Sequence, residues 1–369
     1  MRPHGVGSRQ ADYTRNFCLG KQIRQLVSCQ SQMARLNCSI TMIFAHFPHR
    51  TIFLIVVLAL VAPWATNSVQ AQAPMANGAK AWMVVDVHSG RILMERNSNE
   101  KREIDGFAGV ATALVTLDWS QRTGRDLGAK ILIPNAVATA GIGNPMGLQP
   151  GDRVSMRDLI YSVVLGADDA ACIALASAVG QDLLMRRMRH GEPISEFVKE
   201  MNYLAAMNSM SKTRFGSPHG RPWGGKSAGT TTVRDMTQLA MYAMENAGFR
   251  FYSMQPDRAV AIDRVSGENA RFRVRNYNRF AGQSGVDGVK AVARGLGGPV
   301  TLLTSKRNPE VTHGADGVTF LYPRRIIAVA DGGGDPTGMA WQLLNAGWQE
   351  FDTWTASGRP NDNRLRLSR

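Results

Sequence analysis

The stretch RDLIYSVVLGADDAACIALASAV occupies residues 157–179 and carries the pattern from which the fold can be inferred. Its apolar residues recur at helical spacing on both sides of residues 166–168 (GAD), so it predicts two helices that meet at this junction. Residues 110–119 (VATALVTLDW) predict another apolar helix, while residues 194–210 and 232–245 predict two amphipathic helices. The centre of the chain is therefore predicted to be helical.

Strand-like segments flank these helices on both sides. The first two are joined by a Gly-containing turn and predict a hairpin, and the others follow the helices. The predicted strands are 80–87, 91–96, 288–292, 299–305 and 325–330. A final helix is predicted over residues 337–351. Strands at both ends with helices between them predict an α+β domain, residues 78–352, whose sheet is assembled from the two ends of the domain.

A targeting segment precedes this domain. Residues 51–62 (TIFLIVVLALVA) are apolar, follow Arg50, and precede small residues up to Ala73, which is the pattern of a secretory signal peptide. The apolar run is shorter than the about 20 residues that a membrane-spanning helix needs, and an uncleaved N-terminal anchor is the alternative. We therefore assign residues 1–73 to a leader and signal peptide, and predict export to the periplasm or cell envelope.

The charge and the cysteine content both change when the leader is set aside. The chain has 43 Lys+Arg and 29 Asp+Glu, and removing seven basic residues and one acid with residues 1–73 lowers the formal charge from +14 to +8. Only Cys172 of the four cysteines remains, so an intrachain disulfide and a multi-cysteine metal site are both excluded for the exported part. This moderate charge favours weak association with anionic envelope surfaces rather than binding of nucleic acid.

The remaining segments predict no further chemistry. The basic tail, residues 353–369, is predicted to be disordered, with weak envelope attachment as the alternative. No metal site and no cofactor are predicted, because the histidines are isolated from one another in the sequence. His219 is predicted to stabilise a turn, and Asp169 to cap or solvate the start of a helix.

Seven collinear segments between residues 81 and 351 carry a resemblance to a known family. They include residues 86–97 (DVHSGRILMERN), the two-helix stretch quoted above, and residues 276–290 (NYNRFAGQSGVDGVK). Together they resemble the serine D-alanyl-D-alanine carboxypeptidases, the low-molecular-weight penicillin-binding proteins of peptidase family S11. The resemblance implies the penicillin-binding-protein or β-lactamase-like transpeptidase fold, with an antiparallel sheet and a helical subdomain. It also implies serine acyl-transfer chemistry on peptidoglycan stem peptides.

The first motif of this family, S-x-x-K, places a nucleophilic serine one helical turn from a lysine that takes its proton. Counting back from residues 112–115 (TALV) puts the serine position at Gly106 and the lysine position at Gly109. Glycine has no side chain that could attack a carbonyl or accept a proton, and loss of the nucleophile alone lowers turnover by about 10⁶ in serine hydrolases. Residues 209–212 (SMSK) also match S-x-x-K by letter, but they lie at the end of a predicted helix instead of opening one.

The other two motifs are also altered. The S-x-N motif supplies a hydroxyl and an amide, and its two positions in this chain are Gly166 and Asp168. The K-T-G motif lies on an edge strand along which the substrate peptide adds, and here it reads Lys290, Ala291 and Val292. Lys290 is therefore a candidate for binding the terminal carboxylate of a stem peptide, with a solvated or structurally paired lysine as the alternative.

These observations predict an exported relative of the family that has lost acyl-enzyme chemistry. Such a protein would bind peptidoglycan stem peptides or an envelope protein. The alternative is an active serine-type D-Ala-D-Ala carboxypeptidase in peptidoglycan maturation, which the resemblance alone implies. A wall-adhering protein that uses only its basic surface is a third hypothesis, with no specific motif behind it.

Overall fold

The computed structural model describes residues 78–139, 141–292, 300–314, 317–360 and 366–367. These residues belong to one compact unit that spans Ala71–Arg369. The predicted leader and its apolar run, residues 51–62, lie outside the described residues. In the part that the structure describes, no helix is both long and apolar enough to cross a membrane.

Twelve strands and seven α-helices make up the described residues. The strands are β1 (Ala81–Asp86), β2 (Ile92–Arg96), β3 (Arg102–Glu103), β4 (Lys130–Leu132), β5 (Arg153–Ser155), β6 (Arg214–Phe215), β7 (Gly229–Thr231), β8 (Asp257–Asp263), β9 (Asn269–Arg275), β10 (Val286–Val292), β11 (Val300–His313) and β12 (Thr319–Asp331). The helices are α1 (Ala108–Thr123), α2 (Met156–Gly166), α3 (Asp169–Arg186), α4 (Pro193–Met207), α5 (Val233–Glu245), α6 (Ala247–Ser253) and α7 (Pro336–Ala356). A short 3₁₀ helix lies at Asn135–Ala138.

A five-stranded antiparallel sheet is built from both ends of the domain, as the sequence predicts. Its strand order is β10-β11-β12-β1-β2. The N-terminal strand β1 pairs with the C-terminal strand β12 along its whole length, from Ala81 opposite Asp331 to Asp86 opposite Ile326. This pairing confirms the predicted α+β class.

The two faces of this sheet contribute to two apolar clusters, because successive side chains of a strand point to opposite faces. On one face Val84 and Leu303 belong to a cluster with Leu343 of α7. On the other face Val85 and Leu302 belong to the larger cluster that includes α1 and α5. Helix α1 lies deep in this larger cluster, with eleven buried residues among its sixteen.

The central helices agree with the sequence pattern, and their caps explain where they begin. Helices α2 and α3 meet at residues 166–168, as predicted, and Ala167 takes the left-handed conformation that ends α2. Helix α5 begins after Thr232, whose hydroxyl accepts a hydrogen bond of 3.0 Å from the backbone N–H of Asp235.

Several elements were not predicted from the sequence. Strands β4, β5 and β8 form a second sheet with β9, whose residues from Arg271 on are strand-like in sequence; the order is β4-β5-β8-β9, and β3, β7 and β6 form a third sheet. Strand β8 was missed because its exposed face carries the small residues Ala259 and Ala261, so the apolar alternation is weak. Helix α6 was missed because it has only seven residues.

The hairpin of β11 and β12 extends well beyond the sheet. Pairing with the neighbouring strands β10 and β1 ends at Ser305 and begins again at Ile326. Residues 306–313 and 319–325 continue the two strands outside the sheet, and we call these residues the arm. The sequence predicts only the part of each strand that lies within the sheet.

The C-terminal end of the domain is more ordered than the sequence predicts. Helix α7 continues past its predicted end to Ala356, so residues 353–356 are helical where a disordered tail is predicted. The added turn is stabilised by Trp354, whose ring packs edge-on against Phe351 with centroids 5.9 Å apart. Further on, Leu367 is buried, and its N–H donates to the carbonyl of Gly90 over 2.9 Å.

Candidate functional site

The altered motif positions come together between the start of α1, the end of α2 and strand β10. Gly106 lies two residues before α1, and Gly109 lies in its first turn, where it is buried. Lys290 and Val292 lie two residues apart on β10, so both side chains point to the same face of that strand. The register derived from the resemblance therefore corresponds to a real cluster in the fold.

Val292 fills the space beside Gly106. A Cβ atom placed on Gly106 would lie 2.8 Å from Cγ1 and 3.3 Å from Cγ2 of Val292. The first distance is shorter than carbon atoms tolerate, so a serine side chain at position 106 would require Val292 to move. The side chain that replaces the motif glycine thus occupies the place that a nucleophile would need.

Lys290 lies against Gly109. A Cβ atom on Gly109 would be 3.5 Å from Cε and 3.7 Å from Nζ of Lys290. Lys290 is 1% exposed, and its Nζ donates to the carbonyl oxygens of Val163 and, over 3.3 Å, Val164 near the end of α2. Burial lowers the pKa of Lys290 from 10.5 to about 8.

This geometry does not agree with the prediction that Lys290 binds a substrate carboxylate. The amine of Lys290 points into the protein and is occupied by backbone carbonyls, as in the alternative of a structurally paired lysine. The absence of a side chain at Gly109 leaves room for this inward position, because a lysine there would compete for the same space.

The S-x-N positions have a structural role. Asp168 is fully buried and caps α3, accepting from the backbone N–H of Ala171 over 3.0 Å and from Oγ of Ser162 over 2.8 Å. Burial raises the pKa of Asp168 from 3.8 to about 6. At the other position, a Cβ atom on Gly166 would meet Cγ1 of Val274 at 3.0 Å, so this space is also nearly filled.

Asp169 does not cap the helix, and that part of the prediction is wrong. Its carboxylate accepts from the backbone N–H of Gly143 over 2.7 Å and pairs with Nε of Arg221 at 2.9 Å. Asp169 therefore connects α3 to two loops, and its neighbour Asp168 makes the cap.

Asp105 was missed by the sequence reasoning. It is 4% exposed, and among the described residues neither of its carboxylate oxygens has a well-formed hydrogen bond. Burial raises the pKa of Asp105 from 3.8 to about 6, although the nearby backbone N–H of Gly106 and the charges of Arg221 and Lys290 act in the opposite direction. The sequence does contain an indication, because Asp105 lies between Ile104 and an apolar helix.

His219 has the role in a turn that the sequence predicts. Its Nδ1 accepts from the backbone N–H of Arg221 over 3.1 Å, and its ring packs edge-on against Trp223. Burial lowers the pKa of His219 to about 4, so the ring is neutral at physiological pH. The next residue, Gly220, has φ +82° and approaches the backbone of Asp105 so closely that a Cβ would lie 2.2 Å from its carbonyl oxygen.

The second S-x-x-K match does not form a site. Ser209 follows the end of α4 with φ +57°, and Lys212 donates to the carbonyl of Asn99 over 3.3 Å. The described residues also contain no group of three His, Cys, Asp or Glu side chains that could hold a metal ion.

Comparisons with known proteins agree with the resemblance seen in the sequence. The chain is 27% identical over 245 residues to D-alanyl-D-alanine carboxypeptidase DacC of Escherichia coli, covering 63% of this chain and 54% of the relative. It is 28% identical over 203 residues to D-alanyl-D-alanine carboxypeptidase DacB2 of Mycobacterium tuberculosis, covering 54% and 63% of the two chains. The chain thus spans 54–65% of the length of DacC and of two DacD relatives.

Solved structures of the same fold include two bacterial proteins. The DD-transpeptidase of Streptomyces K15 matches with a TM-score of 0.59 and 22% identity, over 73% of this chain and 97% of that one. Penicillin-binding protein D2 of Listeria monocytogenes, in its ampicillin-bound form, matches with a TM-score of 0.57 and 21% identity, also over 73% and 97%. These likenesses confirm the penicillin-binding-protein fold. The model of the D-alanyl-D-alanine carboxypeptidase family matches residues 67–298, and the chain therefore belongs to peptidase family S11.

Proposed function

We propose that this protein is an exported, non-catalytic member of family S11 that acts in the cell envelope by binding. The single observation that carries the proposal is the contact at Gly106, where the nucleophile position has no side chain and Val292 fills the adjoining space. Acyl transfer in this family needs a hydroxyl at that point. Neither Gly106 nor Gly109 can supply the nucleophile or its base.

Other hydroxyl groups near the site do not replace the missing serine. Ser162 is fully buried and donates to Asp168, so its hydroxyl is part of the helix cap rather than free to attack a carbonyl. A nucleophile needs both an adjacent base and access to the substrate. The inward amine of Lys290 is bonded to the carbonyls of Val163 and Val164 and does not activate a hydroxyl.

The same contacts bear on the choice of ligand. A stem peptide ends in a carboxylate, and the one cation that the K-T-G motif retains, Lys290, is buried. All seven residues of β10 are buried, and the carbonyl of Asp287 on this edge strand accepts from Oγ of Ser253. Strand addition by a peptide would have to displace such contacts. We therefore favour an envelope protein over a stem peptide as the ligand.

Export is part of this proposal. The apolar run at residues 51–62 after Arg50 has the pattern of a signal peptide, and the relatives that the chain resembles are named as D-alanyl-D-alanine carboxypeptidases. Peptidoglycan, on which such enzymes act, lies outside the cytoplasmic membrane.

Labelling with a fluorescent penicillin tests the loss of chemistry. Penicillins acylate the nucleophilic serine of active family members, so we expect no label that survives denaturation, with a catalytically active S11 carboxypeptidase labelled in parallel as the control. Covalent labelling of this chain would contradict the proposal and support the alternative, an active D-Ala-D-Ala carboxypeptidase.

Calorimetry tests the choice of ligand. We expect no saturable heat when a peptide ending in D-Ala-D-Ala is added to the native protein. Saturable binding that is lost in the Lys290→Ala variant would show that Lys290 turns outward to meet the peptide, and would make the stem peptide the ligand.

A further inference from the structure

We propose that the arm, residues 306–313 and 319–325, is a docking surface for an anionic phospholipid membrane. The proposal rests on the exposed surface of the arm and on its charge. It does not depend on the altered motifs, and it holds whether or not the proposed binding function is correct.

The outer half of the arm exposes large apolar side chains on both of its faces. Leu321 is 62% exposed and lies opposite Val311, which is 49% exposed. Phe320, on the other face, is 47% exposed and lies opposite Thr312. Exposed apolar groups on both faces of a ribbon have no protein layer to pack against within the described residues, and such a patch indicates a contact with another surface.

The edges of the arm are unsuited to pairing with another strand. Pro309 on β11 and Pro323 on β12 lack the N–H group that a neighbouring strand would need. The pairing between the two strands of the arm also shifts between Arg307 and Glu310, and such a bulge bends and twists the ribbon, which makes its edges less suited to pairing. A second copy of this chain is therefore a poor partner for strand addition, and the apolar side chains remain to be covered.

The inner half of the arm is held in place. Glu310 forms an ion pair with Arg359, which follows α7, and the guanidinium of Arg359 lies 5.3 Å from the ring centroid of Tyr322. Arg307 pairs with Asp352 of α7 at 3.0 Å. A two-stranded ribbon alone is only marginally stable in water, so these contacts fix the direction in which the outer half projects.

The charges of the arm complement an anionic surface. Cations near the inner half outnumber carboxylates by five to three when every ion-pair partner of the arm is included. The cations are Lys306, Arg307, Arg324, Arg325 and Arg359, and the carboxylates are Asp287, Glu310 and Asp352. Between Val311 and Tyr322 the sequence has only one acid, Asp316. Apolar and aromatic groups beyond a cationic zone suit shallow insertion at the headgroup level of an anionic leaflet.

Hydrogen exchange of the full-length chain on vesicles tests this proposal, because the readout is local to the arm. The apolar run at residues 51–62 is present in every variant, so any attachment through it is the same in all samples. We expect phosphatidylglycerol vesicles to slow exchange of the amides in residues 308–322 by about tenfold, and phosphatidylcholine vesicles to have no such effect.

Two substitutions at equally exposed apolar residues, one on the arm and one elsewhere, distinguish membrane binding by the arm from a general effect of exposed apolar surface. Leu321 and Val265 are both 62% exposed, and Val265 lies in the turn of another hairpin, between β8 and β9. We expect Leu321→Ser to abolish the slowing and Val265→Ser to leave it unchanged. The proposal would be overturned if exchange were unchanged on phosphatidylglycerol vesicles, or if both lipids slowed it equally. It would also be overturned if a higher protein concentration alone slowed exchange, because the arm would then bind a second copy of this chain.

Discussion

The motif cluster and the arm depart from the usual distribution of polarity in opposite directions. At the motif cluster, charged groups are buried: Lys290 is 1% exposed and Asp105 is 4% exposed. On the arm, Leu321 and Phe320 are large apolar groups that face solvent. Buried charges and exposed apolar patches are the two departures that most often mark a functional region. Here the buried charges lie around the motif positions, where side chains fill the space, and the exposed apolar groups lie on an open surface.

The two regions differ in whether the buried charged groups and the exposed apolar groups have partners that offset their energetic cost. Lys290 and Asp168 both have hydrogen-bond partners, so much of the cost of their burial is offset. Asp105 has no well-formed hydrogen bond among the described residues, with only the backbone N–H of Gly106 and nearby cations favouring its charge, and the apolar groups of the outer arm have no covering layer there. The uncompensated groups are therefore the ones whose replacement should reveal what each region does.

The largest expected effect concerns the attempt to restore catalysis. We predict that Gly106→Ser combined with Gly109→Lys will not hydrolyse a D-Ala-D-Ala peptide, leaving a deficit of about 10⁶ in turnover. The serine would collide with Val292, and the lysine would compete with Lys290 for space. Release of D-alanine is the measurement, with circular dichroism to show that the variant is folded.

A triple variant sharpens this test. Adding Val292→Gly removes the branched side chain that lies 2.8 Å from the Cβ position of residue 106. Acylation by penicillin in the triple but not the double variant would identify Val292 as the main obstacle. Hydrolysis by the double variant would show that the changes at Gly166, Asp168, Ala291 and Val292 matter less than we infer.

The next effect measures how completely the cleft is filled. We predict that Gly106→Ala lowers the free energy of unfolding by about 1–3 kcal/mol, because the new methyl group overpacks against Val292. Val292→Ala alone should cost a similar amount, about 1–3 kcal/mol, through the cavity that it leaves. In the double variant the methyl group occupies that cavity, so the combined cost should be smaller than the two single costs together by about 1–2 kcal/mol. Urea denaturation of the four proteins measures this, and additive costs would show that the two residues do not share one space.

A pH-dependent effect of similar or smaller size is expected at Asp105. Its pKa is raised to about 6 in the folded protein from 3.8, so the folded state binds the proton more tightly and its stability falls as the pH rises from about 4 to about 6. We predict that Asp105→Asn, which has no charge to bury, raises the free energy of unfolding at pH 7 by about 3 kcal/mol and has little effect at pH 4.

Asp152 provides a control of opposite sign. It is also fully buried, and burial alone would raise its pKa, but hydrogen bonds from the backbone N–H groups of Gln149 and Val265 and from Arg264 lower it. Its contribution to stability is present at neutral pH and is lost as the pH falls. Asp152→Asn should therefore destabilise the protein at pH 7. A destabilising effect of both substitutions at pH 7 would mean that Asp105 has partners in solution.

The sequence predicted the elements that depend on local periodicity and missed features that depend on distant contacts. The junction of α2 and α3 is visible because apolar spacing and residues 166–168 are adjacent in the chain. The empty motif positions Gly106 and Gly109 followed from register. The sequence could not predict that Val292 fills the space beside Gly106, because these two residues meet only after the sheet and α1 pack together.

The sequence also did not predict side-chain direction or strand length. A lysine can turn outward or inward, and the inward position of Lys290 depends on the space left at Gly109. Which of two adjacent acids caps α3 depends on the residue at which α2 ends. The arm was missed because Pro309, Pro323 and the glycines of its turn interrupt the alternation that identifies a strand.

The smallest expected effect lies on the arm and tests whether its apolar groups contribute to folding. Leu303 and Leu321 belong to the same hairpin, but Leu303 is fully buried against α7 while Leu321 is 62% exposed. We predict that Leu321→Ser changes the free energy of unfolding by less than about 0.5 kcal/mol without lipid, because it removes little buried surface. Leu303→Ala, within the sheet, should cost about 2–5 kcal/mol. Urea denaturation gives both values. A loss at Leu321 comparable to that at Leu303 would mean that the outer arm is covered by protein in solution, and the contrast between the two regions would then rest on the buried charges alone.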